Sequence, residues 1–333
     1  MADRRPGPAS GRHFGVLMST TTGIPPAQGA DAVIKDNKKT LSRRNIRIGL
    51  SFIAPALIVL SVFVFYPTIK TFFTSLTTDR INRKGIFVGL HNYAELFTNA
   101  DFWTDFRNTV IYAVAYAPLV VIVALAFALL LNRKDIKGVG FFRTCLFMPY
   151  IISLTVASIA WSFILSPSLG LIPYWGKVLF GIQHMDLLGT KSTALATIIF
   201  ITVWKNFGYF MVIFLAGLQG INPDLYEAAS LDGANAWQRF LHITLPGLLP
   251  TFNYVVIFGL IGSFQVFDQV FILTSGGPDR ATETIVYRIY TEAFGNGKMG
   301  YASALSYVLL IMTLIIGVIQ LVWNNKHEKE EIG

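Results

Sequence analysis

Lys205 interrupts an otherwise uncharged apolar stretch, and polar side chains follow it closely. Asn206 is the next residue, and Tyr209 lies four residues after Lys205, so it would share the same face of a helix. An ionisable group inside such a stretch is costly and is therefore a functional candidate. Lys205 could contact a bound ligand, pair with Asp268 or a main-chain carbonyl as a structural contact, or face a partner subunit.

A second candidate group lies in the next apolar stretch, where Phe264, Gln265 and Asp268 occur close together. Phe264 and Asp268 are four residues apart and would share a helix face. Amide and carboxylate groups bind hydroxyls, and an aromatic ring covers the apolar face of a pyranose, so this mixture is typical of a sugar site. The alternatives are that Asp268 lies at a membrane interface and that Phe264 only packs.

Long apolar helices must position both groups. Of the 333 residues, 53% are apolar and 14% are charged, and the mean hydropathy is +0.54. A soluble domain has about 25% charged residues, so the composition indicates a membrane protein. Stretches of about 20 apolar residues can cross a bilayer as helices. The sequence therefore predicts an all-α membrane protein with six transmembrane helices, at residues 48–69, 110–131, 145–165, 193–218, 248–271 and 302–323.

Basic residues predict that the N-terminus is cytoplasmic. The flank of the first span and the loop after the second are both rich in them, and six spans return the C-terminus to the same side. We expect residues 1–44 to be a disordered cytoplasmic tail, in which Met18 is an alternative start, and residues 45–333 to form the membrane domain. The basic residues are Lys35, Lys38, Lys39, Arg43, Arg44, Arg47, Arg133, Lys134, Lys137 and Arg143.

The loop at residues 219–247 would then be cytoplasmic, and it reads as two short helices joined by Gly233. Asn222 can cap the first helix and Pro223 fits its first turn. The small residues leave one surface open to close approach. Such a loop would suit insertion into a groove of a partner or, equally, a position on the bilayer surface. The apolar side chains available as anchors are Tyr226, Leu231, Trp237 and Phe240.

This loop resembles a known motif. Glu227-Ala-Ala, then Gly233, then Ile243-Thr-Leu-Pro246 is similar, with full spacing, to the EAA motif of permease subunits in binding-protein-dependent ABC importers. Segments outside the loop resemble the carbohydrate branch of that family, and the closest resemblance is to the first permease of sugar and glycerol-3-phosphate importers. These segments begin at Phe142, Pro149, Trp204, Ala216, Ser263, Leu273 and Gly300, and the likeness covers about residues 45–323.

The resemblance implies a type I importer permease fold in a prokaryotic inner (plasma) membrane. It also implies a second permease subunit, an extracytoplasmic solute-binding protein and a cytoplasmic ATPase dimer that carries ATP and Mg. The resemblance places ATPase coupling on one group of residues and the path of a sugar or polyol phosphate on another. The coupling residues are Glu227, Ala228, Ala229, Asp232 and Gly233, and the path residues are Lys205, Asn206, Tyr209, Phe264, Gln265 and Asp268.

Other chemistries find little support in the sequence. A phosphate-binding Gly-x-x-x-x-Gly-Lys-[Ser/Thr] pattern is absent, so we expect ATP to be hydrolysed elsewhere and this chain to be no enzyme and to hold no cofactor. The histidines lack ligand spacing, and Cys145 is the single cysteine, so neither a metal site nor an internal disulfide is expected. The net charge of +8 is assigned to cytoplasmic loops beside membrane lipid rather than to nucleic-acid binding. The competing function is an ion-coupled secondary transporter of small polar solutes.

Overall fold

The computed structural model describes residues 30–133 and 135–332, with side-chain surroundings for residues 45–133 and 135–322. Within these residues the chain is helical, has no β-strand, and forms only isolated bridges, one of them between Thr77 and Phe87. The chain divides into two units, residues 1–66 and 67–333. The α-helices are α1 Ala30–Leu60, α2 Tyr66–Ser75, α3 His91–Thr98, α4 Ala100–Leu131, α5 Val139–Ile151, α6 Leu154–Ile164, α7 Leu171–Phe180, α8 Ala194–Gln219, α9 Pro223–Leu231, α10 Ala236–Arg239, α11 Leu245–Gly247, α12 Leu249–Phe264, α13 Asp268–Leu273, α14 Ile285–Tyr290 and α15 Met299–Ile332.

Three wider π-helical turns, Ser61–Phe65, Phe240–Thr244 and Thr291–Gly295, are inserted between these helices. The first unit consists of α1 and the first π-helical turn, up to Tyr66. Helix α1 begins at Ala30, inside the segment predicted to be a tail without regular structure. Residues 30–44 contain no glycine or proline and several good helix formers, which explains the helix. Residues 1–29, which hold the rest of the predicted tail, lie outside the described residues.

Among the described residues, four helical segments are long and apolar enough to cross a membrane, and the number rises to six if each of two bent pairs is one span. The pair α5 and α6 bends by 94° and the pair Ala236–Gly247 and Leu249–Phe264 by 69°. The sequence predicted the first pair as one span, residues 145–165. It predicted the second pair as the end of the loop at residues 219–247 followed by the fifth span, so this bend lies where loop and span were expected to meet. Hydropathy reports composition and not backbone angles, so it could not reveal the bend of the first pair. The four continuous segments are Asn45–Ser75, Ala100–Leu131, Ala194–Gln219 and Met299–Val322.

The fifth predicted span, residues 248–271, is wrong at its end. Helix α12 ends at Phe264, and Gln265 and Phe267 have non-helical backbone angles before α13 begins at Asp268. The composition stays apolar across this break, so the hydropathy pattern continued past it. Phe264 and Asp268 therefore belong to two helices and do not share the face that their spacing predicted.

Helix α8 is the centre of the second unit. It packs against α4, α5 and α12. In the most apolar 18-residue stretch of α8, 67% of the residues are buried, whereas the corresponding value for α4 is 39%. Helix α8 is therefore largely enclosed by protein, and α4 keeps an open face. Large side chains such as Tyr112, Met211 and Phe214 fill the core between these helices. Helix α8 carries the first candidate group, Lys205, Asn206 and Tyr209.

Candidate functional site

The loop between α8 and α12 has the predicted two-helix structure. The side chain of Asn222 accepts a hydrogen bond from the backbone N–H of Asp224 at 3.0 Å, and Pro223 occupies the first turn of α9. The predicted cap is therefore confirmed. The helix ends before Gly233, whose φ of +78° is a conformation that favours glycine. The turn between the two helices thus depends on a residue without a side chain.

The two halves of this loop are bonded to each other. Asn235 and Gln238 form a reciprocal capping box at the start of α10, with hydrogen bonds of 2.8 and 2.9 Å. Arg239 donates to Ser230 at 2.9 Å, so the second helix is tied back to the first. The loop is therefore a defined structure. A cavity of about 350 Å³ opens on it, lined by Ala229, Asp232, Gly233, Ala234, Gln238, Arg239, His242 and Ile243.

The predicted coupling residues occupy one continuous part of this loop. Glu227 and Ala228 are exposed on α9, and Ala229, Asp232 and Gly233 line the cavity. This arrangement leaves the whole group open to a partner.

The predicted apolar anchors divide into two kinds. Leu231 is 89% exposed and Trp237 is 65% exposed, which suits burial against another surface. Tyr226 and Phe240 are half-buried, and the hydroxyl of Tyr226 bonds Thr244 at 3.0 Å. Two of the four predicted anchors are thus exposed, although the ring of Trp237 stacks on that of Phe240 at 5.5 Å between centroids. The other two stabilise the loop itself.

The structure identifies a hydrogen-bond partner for Lys205, for which the sequence allowed several alternatives. Its Nζ donates to the carbonyl oxygen of Tyr150, the next-to-last residue of α5, at 2.8 Å. The ammonium also lies 5.1 Å from the centre of the Tyr150 ring. In the part of the chain that the structure describes, Lys205 forms no ion pair, so the alternative of a pair with Asp268 is not what the structure has.

Tyr209 and Asn206 join Lys205 in a cluster of tyrosines from several helices. The ring of Tyr209 stacks on that of Tyr150, with 4.6 Å between centroids and 18° between planes. Its hydroxyl lies 3.3 Å from that of Tyr254 on α12. The amide of Asn206 donates to the hydroxyl of Tyr116 on α4 at 2.8 Å. We call Tyr116, Tyr150, Tyr209 and Tyr254 the tyrosine cluster.

The sequence analysis missed three members of the tyrosine cluster. Tyr116, Tyr150 and Tyr254 carry no charge, so a search for ionisable groups in apolar stretches passed over them. Tyr150 and Tyr254 remain partly exposed, at 39% and 38%. The cluster therefore presents aromatic faces and hydroxyl groups to its surroundings, which are the features that bind a sugar ring.

The fold does not bring the second candidate group, Phe264, Gln265 and Asp268, into contact with the group around Lys205. Phe264 is buried, Gln265 is exposed and Asp268 is half-buried. Among the described contacts, no hydrogen bond or ring contact joins these three residues to Lys205, Asn206 or Tyr209. The break between α12 and α13 separates Asp268 from the face on which Phe264 lies.

A partly buried network of charges ties the segment after α13 to the start of α4, and the sequence analysis missed it. Arg280 donates to Asp105 at 3.1 and 3.2 Å and pairs with Asp101 and, at 2.8 Å, with Glu283. The amide of Asn108 donates to the carbonyl oxygens of residues 280 and 283 at 2.8 and 3.0 Å. The segment is therefore fixed to α4 by side chains and by main chain.

Arg288 extends this network along α14. It lies 3.1 Å from Glu292 and 3.5 Å from both Asp101 and Asp105. An exposed pair nearby, Lys191 with Asp279 at 2.7 Å, links the segment before α8 to the one after α13. The hydrogen bond from Lys191 holds the pKa of Asp279 below its usual value.

Among the described residues, no group of three or more His, Cys, Asp or Glu side chains could hold a metal ion. The two features that can act on other molecules are the loop with Glu227 and Gly233 and the tyrosine cluster. The loop is open to a macromolecule. The cluster is suited to a small polyhydroxyl ligand.

Comparisons with known proteins agree with these features. The family model described as "Binding-protein-dependent transport system inner membrane component" matches residues 136–328. The chain is 34% identical over 289 residues to the trehalose/maltose transport system permease protein MalF of Thermococcus litoralis, covering 86% of this chain and 97% of that protein. It is 32% identical over 281 residues to the sn-glycerol-3-phosphate transport system permease protein UgpA of Agrobacterium fabrum, covering 80% and 91%.

A solved structure shares the fold. The crystal structure of a bacterial alginate ABC transporter, in complex with an alginate pentasaccharide-bound periplasmic protein, contains a chain that matches with a TM-score of 0.74. The match covers 85% of this chain and 94% of that one at 22% sequence identity. The helical fold is thus one already known from a solved membrane transporter. The resemblance that the sequence predicted is confirmed.

Proposed function

Because the chain belongs to the family of inner membrane components of binding-protein-dependent transport systems, we propose that it is the permease subunit of an ATP-driven importer. Its cargo is a sugar or a related polyol phosphate. The chain itself performs no bond chemistry. It supplies a membrane path whose two states are biased by ATP on one partner and by loaded binding protein on another.

The observation that carries this proposal is the geometry of the loop between α8 and α12. Glu227 and Ala228 are exposed, and Gly233 lines a cavity in a loop that is rigidly bonded by its own caps. A short helix that presents small residues and an exposed carboxylate fits a groove of a cytoplasmic ATPase. Because the sequence lacks a phosphate-binding loop, the ATP and Mg belong to that partner.

The tyrosine cluster supports a carbohydrate cargo. Tyr150 and Tyr209 stack face to face, and the exposed part of Tyr150 can cover the apolar side of a sugar ring. Hydroxyl and amide groups of Tyr254 and Asn206 supply hydrogen bonds to sugar hydroxyls. The relatives are named for trehalose/maltose and for sn-glycerol 3-phosphate, which are compounds that carry hydroxyl groups. Phe264 at the end of α12, Gln265 in the break and Asp268 at the start of α13 extend the cargo path.

The proposal includes six spans in a prokaryotic inner membrane, with each bent pair counted as one span and both termini in the cytoplasm. The basic residues near the first span and after α4 support this orientation. A second permease subunit completes the membrane path. An extracytoplasmic solute-binding protein delivers cargo to the end of the chain opposite the loop with Glu227.

Co-purification tests the proposal. The chain is tagged at its C-terminus, extracted from its own membrane in mild detergent, and its companions are identified. We expect a second permease and an ATPase, together with a binding protein whose ligand names the cargo. A lone chain that takes up solutes in liposomes under an ion gradient would instead establish the secondary-transporter alternative, which the two bent helix pairs also fit.

A further inference from the structure

The bend between α5 and α6 leaves the end of a helix inside an apolar segment. Helix α5 ends at Ile151, the chain is extended at Ile152 and Ser153, and α6 leaves at 94°. The last carbonyl groups of a helix have no partner within the helix and carry a partial negative charge. In a membrane, each such group requires another donor because no water is available.

Lys205 supplies that donor to Tyr150. Lys205 is only 5% exposed, so little of this residue is open to a cargo path. Its Nζ lies 2.8 Å from the Tyr150 carbonyl oxygen. A cation at the carboxyl end of a helix is stabilised by the helix dipole, and a charged hydrogen bond is stronger than a neutral one. The ring of Tyr150 at 5.1 Å adds a cation–π contact.

A second contact holds the same two helices together. A Cβ atom at Gly208 would overlap the carbonyl oxygen of Leu146, so α5 and α8 approach closely there. Leu146 and Tyr150 lie one turn apart on α5, and Gly208 and Lys205 lie about one turn apart on α8. The two contacts therefore form one antiparallel interface, with the missing side chain of Gly208 at one end and the ammonium of Lys205 at the other.

The position of the Tyr150 ring follows from this interface. Tyr150 stacks on Tyr209, which is one turn along α8 from Lys205 and beside Gly208. The hydrogen bond to the Tyr150 carbonyl thus fixes the backbone that carries one wall of the tyrosine cluster. If α5 shifted at its end, the stacked pair would separate.

We propose that Lys205 is a positioning residue for the cargo site. It caps the carbonyl end of α5 at the bend and so holds Tyr150 against Tyr209, and its charge does not select the cargo. The inference rests on the proposed function for the meaning of the tyrosine cluster. It implies that a neutral sugar can pass Lys205 without supplying a negative charge. The presence of Lys205 therefore does not mean that the cargo is an anion.

Hydrogen–deuterium exchange of the full-length chain in lipid nanodiscs, without cargo, tests this role. We expect Lys205→Met to raise exchange of the backbone amides in the segment 148–153, in which Pro149 has no amide hydrogen, by about tenfold, because a charged hydrogen bond that holds the helix end is lost. Lys205→Arg, which can donate to the same carbonyl, should keep wild-type protection. If Lys205→Met does not purify, Lys205→Gln, whose amide is shorter and uncharged, should also raise exchange there.

Two further variants calibrate the measurement. Lys177→Met removes an exposed lysine of α7 and should leave residues 148–153 unchanged. Gly208→Ala forces α5 and α8 apart and should raise exchange in the same segment as Lys205→Met. Wild-type protection at residues 148–153 in a purified Met or Gln variant would overturn the proposal. Hydrogen–deuterium exchange is measured without cargo or partner proteins, so its result does not depend on the proposed function. A failure of the proposed function would instead be detected by the co-purification.

Discussion

The carboxylate of Asp105 lies 3.1 and 3.2 Å from Nη2 of Arg280, a residue 175 positions further along the chain. Its side chain is 1% exposed, and Arg288 approaches it from α14 at 3.5 Å. Buried charges are stable only when they are paired and hydrogen-bonded. This network therefore fixes the segment between α13 and α14 on the start of α4, at a distance in sequence that no local pattern spans.

The network predicts a large loss of stability when one partner is removed. Arg288→Met should lower the free energy of unfolding by about 3 kcal/mol, because Asp105 and Glu292 lose a buried counter-charge. Equilibrium unfolding in mixed micelles measures this change. The matched control is Lys191→Met, which breaks the exposed pair with Asp279 and should cost less than about 1 kcal/mol. Equal losses in the two variants would contradict the structural role of the network.

Charge reversal at Glu227 tests the docking surface. We expect Glu227→Lys to insert and fold normally, because the side chain is exposed, but to lower co-purification of the ATPase and ATP-driven uptake about tenfold or more. Quantitative co-purification from membranes provides the measurement. Glu95→Lys, on the short helix α3, reverses an exposed acidic charge elsewhere and should leave both unchanged. Normal ATPase binding by the Glu227 variant would remove this residue from the interface.

Gly233 tests the shape of the same loop. A side chain at φ +78° costs roughly 1–2 kcal/mol of local strain, so Gly233→Ala should distort the turn after α9 and weaken ATPase binding. No atom lies within 4 Å of an added Cβ, so the effect would come from the backbone and not from a clash. Gly181→Ala introduces similar strain at φ +68° after α7, again without a clash, and should reduce stability without affecting the ATPase. If Gly233→Ala and Gly181→Ala bound the ATPase equally well, Gly233 would not be part of the ATPase-binding surface.

Tyr209 tests the tyrosine cluster as part of the cargo path. Tyr209→Ala removes the ring that stacks on Tyr150 and should raise the half-saturating cargo concentration about tenfold. Tyr209→Phe keeps the stack and loses only a 3.3 Å contact with Tyr254, so its effect should stay within about threefold. Uptake of the cargo identified from the co-purified binding protein gives both values. Phe200→Ala, an exposed ring on the same helix, is the control.

Local sequence signals predicted local structure well. Asn222 and Pro223 marked the start of α9, and Gly233 marked its end, because caps and positive φ angles depend on adjacent residues. The apolar stretches located the four continuous helical segments that are long and apolar enough to cross a membrane among the described residues. The bend after Ile151 and the helix break after Phe264 were not predictable in this way, because an apolar run looks the same whether it is straight or broken.

Contacts between residues far apart in the sequence were the second feature that the sequence could not predict. The sequence drew attention to Lys205 because a charge in an apolar stretch is rare, but its partner is a main-chain carbonyl that no residue type reveals. The contact of Asp105 with Arg280 joins segments that only the fold brings together. Chemistry-bearing residues could therefore be found one at a time, while the groups that they form required the three-dimensional structure.

Energy coupling is the most direct test of the central claim. The assembly purified with this chain is reconstituted in liposomes, and uptake of its cargo is measured with ATP supplied to the ATPase side, with and without ionophores that collapse ion gradients. The importer account predicts uptake that requires ATP and loaded binding protein and is insensitive to ionophores. Uptake that proceeds without ATP and stops when the ion gradients collapse would contradict it.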